Sequence, residues 1–220
     1  MTCSSSRAWT LAGLAIALFG IPAIVTAQRL LSADATAAGP VIAREIAILA
    51  LTAFLLWIVM SPERQPLSSI GFRMDRIGRS LGWGFGLAVV CFVAVVACLW
   101  LYSALGMHYG EATGISRALP VTLLAVVRAG ISEEVFYRGF AIERLQSLTG
   151  SKWLAAAITL AAFAGFHFRQ GAAGIILALV LGAIITGFYL WRRDLVAAMF
   201  AHFLVDFIPN VVLPALGGGN

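Results

Sequence analysis

Charge is what this chain has least of. Asp, Glu, Lys and Arg together make up 11% of its 220 residues, against 61% that are hydrophobic. A soluble domain carries about 25% charged residues and about half apolar ones, so a water-soluble globular domain is excluded. Lysine occurs once, at Lys152, among 15 basic residues, an arginine-heavy balance that suits a GC-rich bacterial genome. Cysteine is nearly absent too. Cys3, Cys91 and Cys98 show neither CxxC nor zinc-finger spacing, which argues against a disulfide scaffold and reads as small packing residues. No repeat, low-complexity run or long Pro/Gly/Ser linker divides the chain, so residues 1–220 read as a single transmembrane domain. A P-loop, an HExxH zinc motif and a GxSxG elbow are all missing. Ser132 lacks the partners that a serine protease needs. "GWGFG" (Gly82–Gly86) has glycines at GxGxG spacing but no strand before it, and reads as close helix packing.

What is present is a succession of apolar runs. Spanning a bilayer takes about 20 mostly apolar residues. Seven runs reach or approach that length: Ala8–Ala27, Val41–Met60, Ser80–Leu105, Leu119–Arg144, Trp153–Phe168, Ala172–Trp191 and Leu195–Leu213. In lipid, runs of this length form helices. The expected fold is all-α, a polytopic membrane helix bundle of about seven transmembrane helices. Six to eight are compatible, because the boundaries are soft and the fifth run is short. The first run also has the look of a secretory signal, with Arg7 ahead of it and "VTAQ" (Val25–Gln28) as a small-residue cleavage site. The reading adopted is a retained first helix. The tryptophans, Trp57, Trp100 and Trp191 among them, fall near run ends as an interfacial belt would.

Basic residues give an orientation. With the N-terminus cytoplasmic, Arg7, Arg64, Arg73, Arg76, Arg79, Arg144, Lys152, Arg192 and Arg193 lie inside, and Arg29, Arg44, Arg117 and Arg169 outside. The excess predicts a cytoplasmic N-terminus, in a bacterial inner membrane. Gly71–Ser80 alternates apolar and basic residues and reads as an amphipathic turn before the third helix. The net charge of +5 is thereby assigned to lipid headgroups, and nucleic acid is not an expected partner.

With the charges at run ends set aside, the remaining ionisable residues are Arg128, Glu133, Glu134 and Arg138 on the fourth, His167 on the fifth, and His202 and Asp206 on the seventh. A charge at the centre of a membrane helix costs about 2.5–3.5 kcal/mol on the insertion scale, and such residues by default mark function. Glu134 and Arg138 are i, i+4 and can pair on one face. Glu133 points about 100° away and reads as free of an ion pair. His202 and Asp206 share a face, as do Phe163 and His167. His108, in a polar loop, reads as an exposed bystander. Three chemistries fit these residues. They can hold and activate a water for amide hydrolysis. They can bind a divalent metal such as zinc through His167, His202, Glu133 and Asp206, although no cofactor is required by the sequence. They can also relay protons in a transporter. A Glu–Arg pair that only glues helices together is the bland alternative.

Three motifs carry a resemblance. "EEVFYR" (Glu133–Arg138) matches EExxxR, "FAGFH" (Phe163–His167) matches FxxxH, and "HFLVD" (His202–Asp206) matches HxxxN/D. In that order on late helices, they resemble the CPBP family of intramembrane proteases, which includes the type II CAAX prenyl endopeptidases and the Abi proteins. The resemblance covers about residues 119–209, and it implies a catalytic core at 119–210. It implies a helical bundle whose cavity opens to the cytoplasm, and peptide-bond hydrolysis by a glutamate-activated water. Glu133 would be the general base. His167 would help hold the water. His202 and Asp206 would stabilise the oxyanion, and Glu134 and Arg138 would support the site. Substrates would be peptides or proteins reached through the lipid bilayer, lipidated or not. Position 206 departs from the Asn of the prenyl proteases. An ionised Asp can only accept hydrogen bonds, so its expected part is to orient His202. A non-enzymatic immunity or partner-binding protein using the same polar cluster is the competing function.

Overall fold

Every described regular element is helical. The computed structural model describes residues 3–107, 109 and 118–217. His108, Arg117 and the tail residues 218–220 lie outside them, as does the Cys3 side chain. The helices are α1 (Cys3–Leu31), α2 (Ala38–Met60), α3 (Ile77–Leu105), α4 (Leu119–Glu133), α5 (Glu143–Thr149), α6 (Lys152–Phe166), α7 (Gly171–Arg192), α8 (Leu195–Phe207) and α9 (Leu213–Gly217). A π-helical segment, Glu134–Ile142, joins α4 to α5, and another, Ile208–Val212, joins α8 to α9. Five stretches among the described residues are long and apolar enough to cross a membrane: Ser6–Leu31, Ala38–Met60, Ile77–Leu105, Lys152–Arg192 and Leu195–Gly217. The protein is therefore an all-helical membrane bundle. Lys152–Arg192 contains both α6 and α7, with a turn at His167–Gln170 between them.

Leu119–Thr149 is not among the five spans, because it carries the charges, and it occupies the middle of the fold. All nine residues of Glu134–Ile142 are buried. Around Val135, Phe136, Tyr137 and Phe140 pack Leu14, Ala17 and Ile21 of α1, Ile48 and Leu55 of α2, and Phe163 of α6. The apolar helices thus form a shell around the polar rod. That order follows from lipid, which accepts Leu, Val and Phe but not Glu or Arg. The π-segment was not expected from the sequence, which reads as one plain helix there. Its i→i+5 bonding is rare and is found most often at functional sites. In the second π-segment the cause is local. Pro209 has no N–H to give, and the Asn210 side-chain amide caps the Asp206 carbonyl at 2.7 Å.

Small residues set the close approaches. Gly84 of α3 faces α8, and a Cβ there would come within 2.7 Å of the Ala197 carbonyl oxygen. A Cβ on Gly82 or Gly86 would meet nothing within 4 Å. Of "GWGFG", then, one glycine serves the packing. Gly84→Val is expected to lower stability by about 1–3 kcal/mol, measured as a reduced melting temperature in detergent, whereas Gly86→Ala should leave it unchanged. Cys91 and Cys98 are buried free thiols in separate apolar clusters, as packing residues should be. Residues 72–74 are irregular and 75–76 form a turn before α3, and the Gly71 carbonyl accepts from the Leu195 N–H at 2.9 Å.

Candidate active site

A cavity of about 340 Å³ runs from mid-bundle to one end of the helices. Glu133, His167, His202 and Asp206 all line it. Three separate pieces of chain thus meet: the end of α4, the turn after α6, and two successive turns of α8. Ile21 and Val25 of α1 complete one wall.

The two adjacent glutamates have different partners. Glu134 is fully buried. Its Oε1 accepts from Arg138 Nη1 at 2.9 Å and from His202 Nδ1 at 2.7 Å. Arg138 also donates Nη2–H to the Gly182 carbonyl at 3.2 Å and Nε–H to Thr186 Oγ1 at 3.3 Å. Its guanidinium carbon lies 4.4 Å above the centre of the Phe163 ring, a cation–π geometry. Arg138 therefore ties the π-segment to α6 and α7. Glu134 in turn fixes His202. A carboxylate only accepts, so Nδ1 carries the proton and Nε2 is directed elsewhere. Asp206 Oδ2 is 3.6 Å from Nε2, beyond hydrogen-bond reach. The carboxylate that holds His202 is thus Glu134, where Asp206 was expected to act.

Glu133 was expected to lack an ion pair, and the structure corrects this. Arg128 Nη1 donates to Glu133 Oε1 at 2.9 Å, five residues along the same rod. Arg128 Nε donates to Glu45 Oε2, and Glu45 Oε1 accepts from Arg44 Nη2 at 2.5 Å. Glu45 is fully buried on α2. The chain Arg44–Glu45–Arg128–Glu133 runs inward from the cavity rim and leaves Glu133 Oε2 without a partner among the described residues. His167 Nδ1 donates to the Phe163 carbonyl at 2.8 Å, so its Nε2 is a free acceptor. Phe163 lies beside both imidazoles, at ring-centre distances of 4.9 Å to His167 and 6.4 Å to His202. Ser132 accepts a hydrogen bond from Thr52 Oγ1 at 2.8 Å and serves α2–α4 packing.

Glu45 was missed in the sequence. The signal was available: it is the one carboxylate within Val41–Met60, and by the cost of burying charge in a membrane it should have counted as functional. The metal alternative does not fit this arrangement. Among the described residues no group of three or more His, Cys, Asp or Glu is placed to hold an ion, and a guanidinium occupies one oxygen of Glu133.

No curated protein and no solved structure matches the chain. A family model does: residues 115–208 match the type II CAAX prenyl endopeptidase Rce1-like family. All three motifs fall within that segment, while Glu45 and the α1 wall lie before it. The family is one of membrane proteases, whose setting is the bilayer and whose substrates are peptides. Over residues 115–208, then, this membrane protein is similar to the Rce1-like type II CAAX prenyl endopeptidase family.

Proposed function

We propose that the protein is an intramembrane endopeptidase in which Glu133 activates a water. The observation that carries this reading is the division of labour between the glutamates: Glu133 keeps one oxygen open to the cavity, and Glu134 is spent on Arg138 and His202. Water held between Glu133 Oε2 and His167 Nε2 loses a proton to Glu133 as its oxygen attacks the peptide carbonyl carbon. With both nitrogens protonated, His202 gives Nδ1–H to Glu134 and turns Nε2–H to the developing oxyanion. The C–N bond then breaks. The proton on Glu133 passes to the leaving nitrogen, the second proton of the water follows it, and the products are a carboxylate and a protonated amine. Arg128, Glu45, Glu134 and Arg138 are positioning residues.

The chain acts in this reading as one domain, with the catalytic core at 119–210 and further walls from α1 and α2. His202→Ala should lower kcat by about 10²–10³, the usual loss of one oxyanion donor. Asp206→Asn should keep more activity than Asp206→Ala, because the amide fills the same space and can donate to the oxyanion.

The test uses purified protein, a panel of prenylated and unprenylated peptides, and ¹⁸O-labelled water. Cleavage with a single ¹⁸O in the new carboxylate is the expected result. If peptides bind tightly but are never cut, and His202→Ala binds as well as wild type, the partner-binding reading replaces this one.

A further inference from the structure

The two ends of the bundle differ sharply in charge, and the cavity opens at only one of them. One end is defined by cross-links between the helices. Thr10 Oγ1 donates to Glu63 Oε1 at 2.7 Å, bringing the start of α1 to the end of α2. Arg144 of α5 pairs with Glu63 Oε2 at 2.7 Å. Arg193, after α7, pairs with Glu143 at 2.5 Å. Ser80 of α3 donates to Asp194, before α8, at 2.8 Å. The nine basic residues named above as cytoplasmic all belong to helix ends or connections gathered here. The opposite end is set by the α1–α2 connection, where Gln28 donates to the Ala35 carbonyl, and by Tyr102 near the end of α3, whose hydroxyl donates to the Ala173 carbonyl at the start of α7. Among the described residues it holds Arg29, Arg44 and Arg169, and all three line the cavity together with Gln170 and Asn210. None of the nine basic residues at the first end lines it.

Every connection here is short, so the bias of basic residues toward the cytoplasm applies throughout. It places the nine-cation end inside and the cavity mouth outside. A cytoplasmic N-terminus and a cavity opening to the cytoplasm cannot both hold in this fold. We infer that the cavity opens on the non-cytoplasmic face of the membrane, and that its substrates are polypeptide segments presented there: exported chains or the outer stretches of membrane proteins. The substrate class rests on the peptidase reading; the direction of opening does not.

Thiol labelling separates the two. In a background with Cys3→Ser, Cys91→Ala and Cys98→Ala, single cysteines are placed by Ala33→Cys, in the α1–α2 connection at the cavity end, and by Gln65→Cys, at the other end. Both positions are exposed and outside the site. Intact cells are treated with a membrane-impermeant maleimide, with labelling after permeabilisation as the reference. Labelling of Ala33→Cys in intact cells, and of Gln65→Cys only after permeabilisation, is the expected result. The reverse pattern, or labelling of both in intact cells, overturns the inference. Neither pattern depends on enzymatic activity, so an inactive protein would count against the peptidase reading alone.

Discussion

Glu133→Gln is expected to lower cleavage by at least about 10²–10⁴-fold, the range that a positioned general base contributes, with little loss of stability. The amide keeps the size and the carbonyl oxygen that Arg128 Nη1 requires. What it loses is basicity: an amide cannot take a proton from water. Arg128 keeps Glu45 as its counter-charge, so the substitution leaves no buried cation alone. Normal expression, elution volume and melting temperature should accompany the loss of activity. Glu133→Asp should recover part of the rate, since a base remains but its oxygen is drawn back from the cavity.

The second large effect is on folding. Arg138→Leu should cost about 3–5 kcal/mol, the usual penalty for leaving one partner of a buried ion pair behind. Glu134 is fully buried, and its Oε2 already lacks a partner among the described residues. Without Arg138 its charge would be balanced by His202 alone. Arg138→Lys should fall between, because a lysine restores the charge but not the fork that reaches Gly182 and Thr186. The informative variant is the double one, Glu134→Leu with Arg138→Met. Replacing a whole buried pair by apolar residues is often neutral or stabilising, so melting should return toward the wild-type value. Activity should not return, since His202 has lost the carboxylate that sets its tautomer. Unfolding in detergent followed alongside kcat separates the two roles.

The apolar shell and the three motifs were legible in the sequence because each is local. A run of 20 apolar residues announces a helix by itself, and i, i+4 spacing places Glu134 against Arg138 without any tertiary information. What was not legible is tertiary. Glu45 stands out locally as a carboxylate inside an apolar run, but its contact with Arg128 spans 83 residues. Glu134 was assigned to Arg138 alone, because nothing local shows that α8 brings His202 to the same oxygen. Asp206 was paired with His202 by spacing, yet the ring turns its Nδ1 to the stronger, buried acceptor. The π-segment is likewise set by packing on all sides, with no proline or glycine pattern to mark its start. The direction in which the cavity opens needed the cross-links at both ends of the bundle.

In the proposed mechanism the chemistry rests on Glu133. Single-turnover cleavage by purified wild type and Glu133→Gln, each with and without a strong chelator, tests it most directly. The expected result is wild-type cleavage that survives chelation and is lost in Glu133→Gln. Full activity in Glu133→Gln, or wild-type activity abolished by the chelator and restored by added metal, would contradict it.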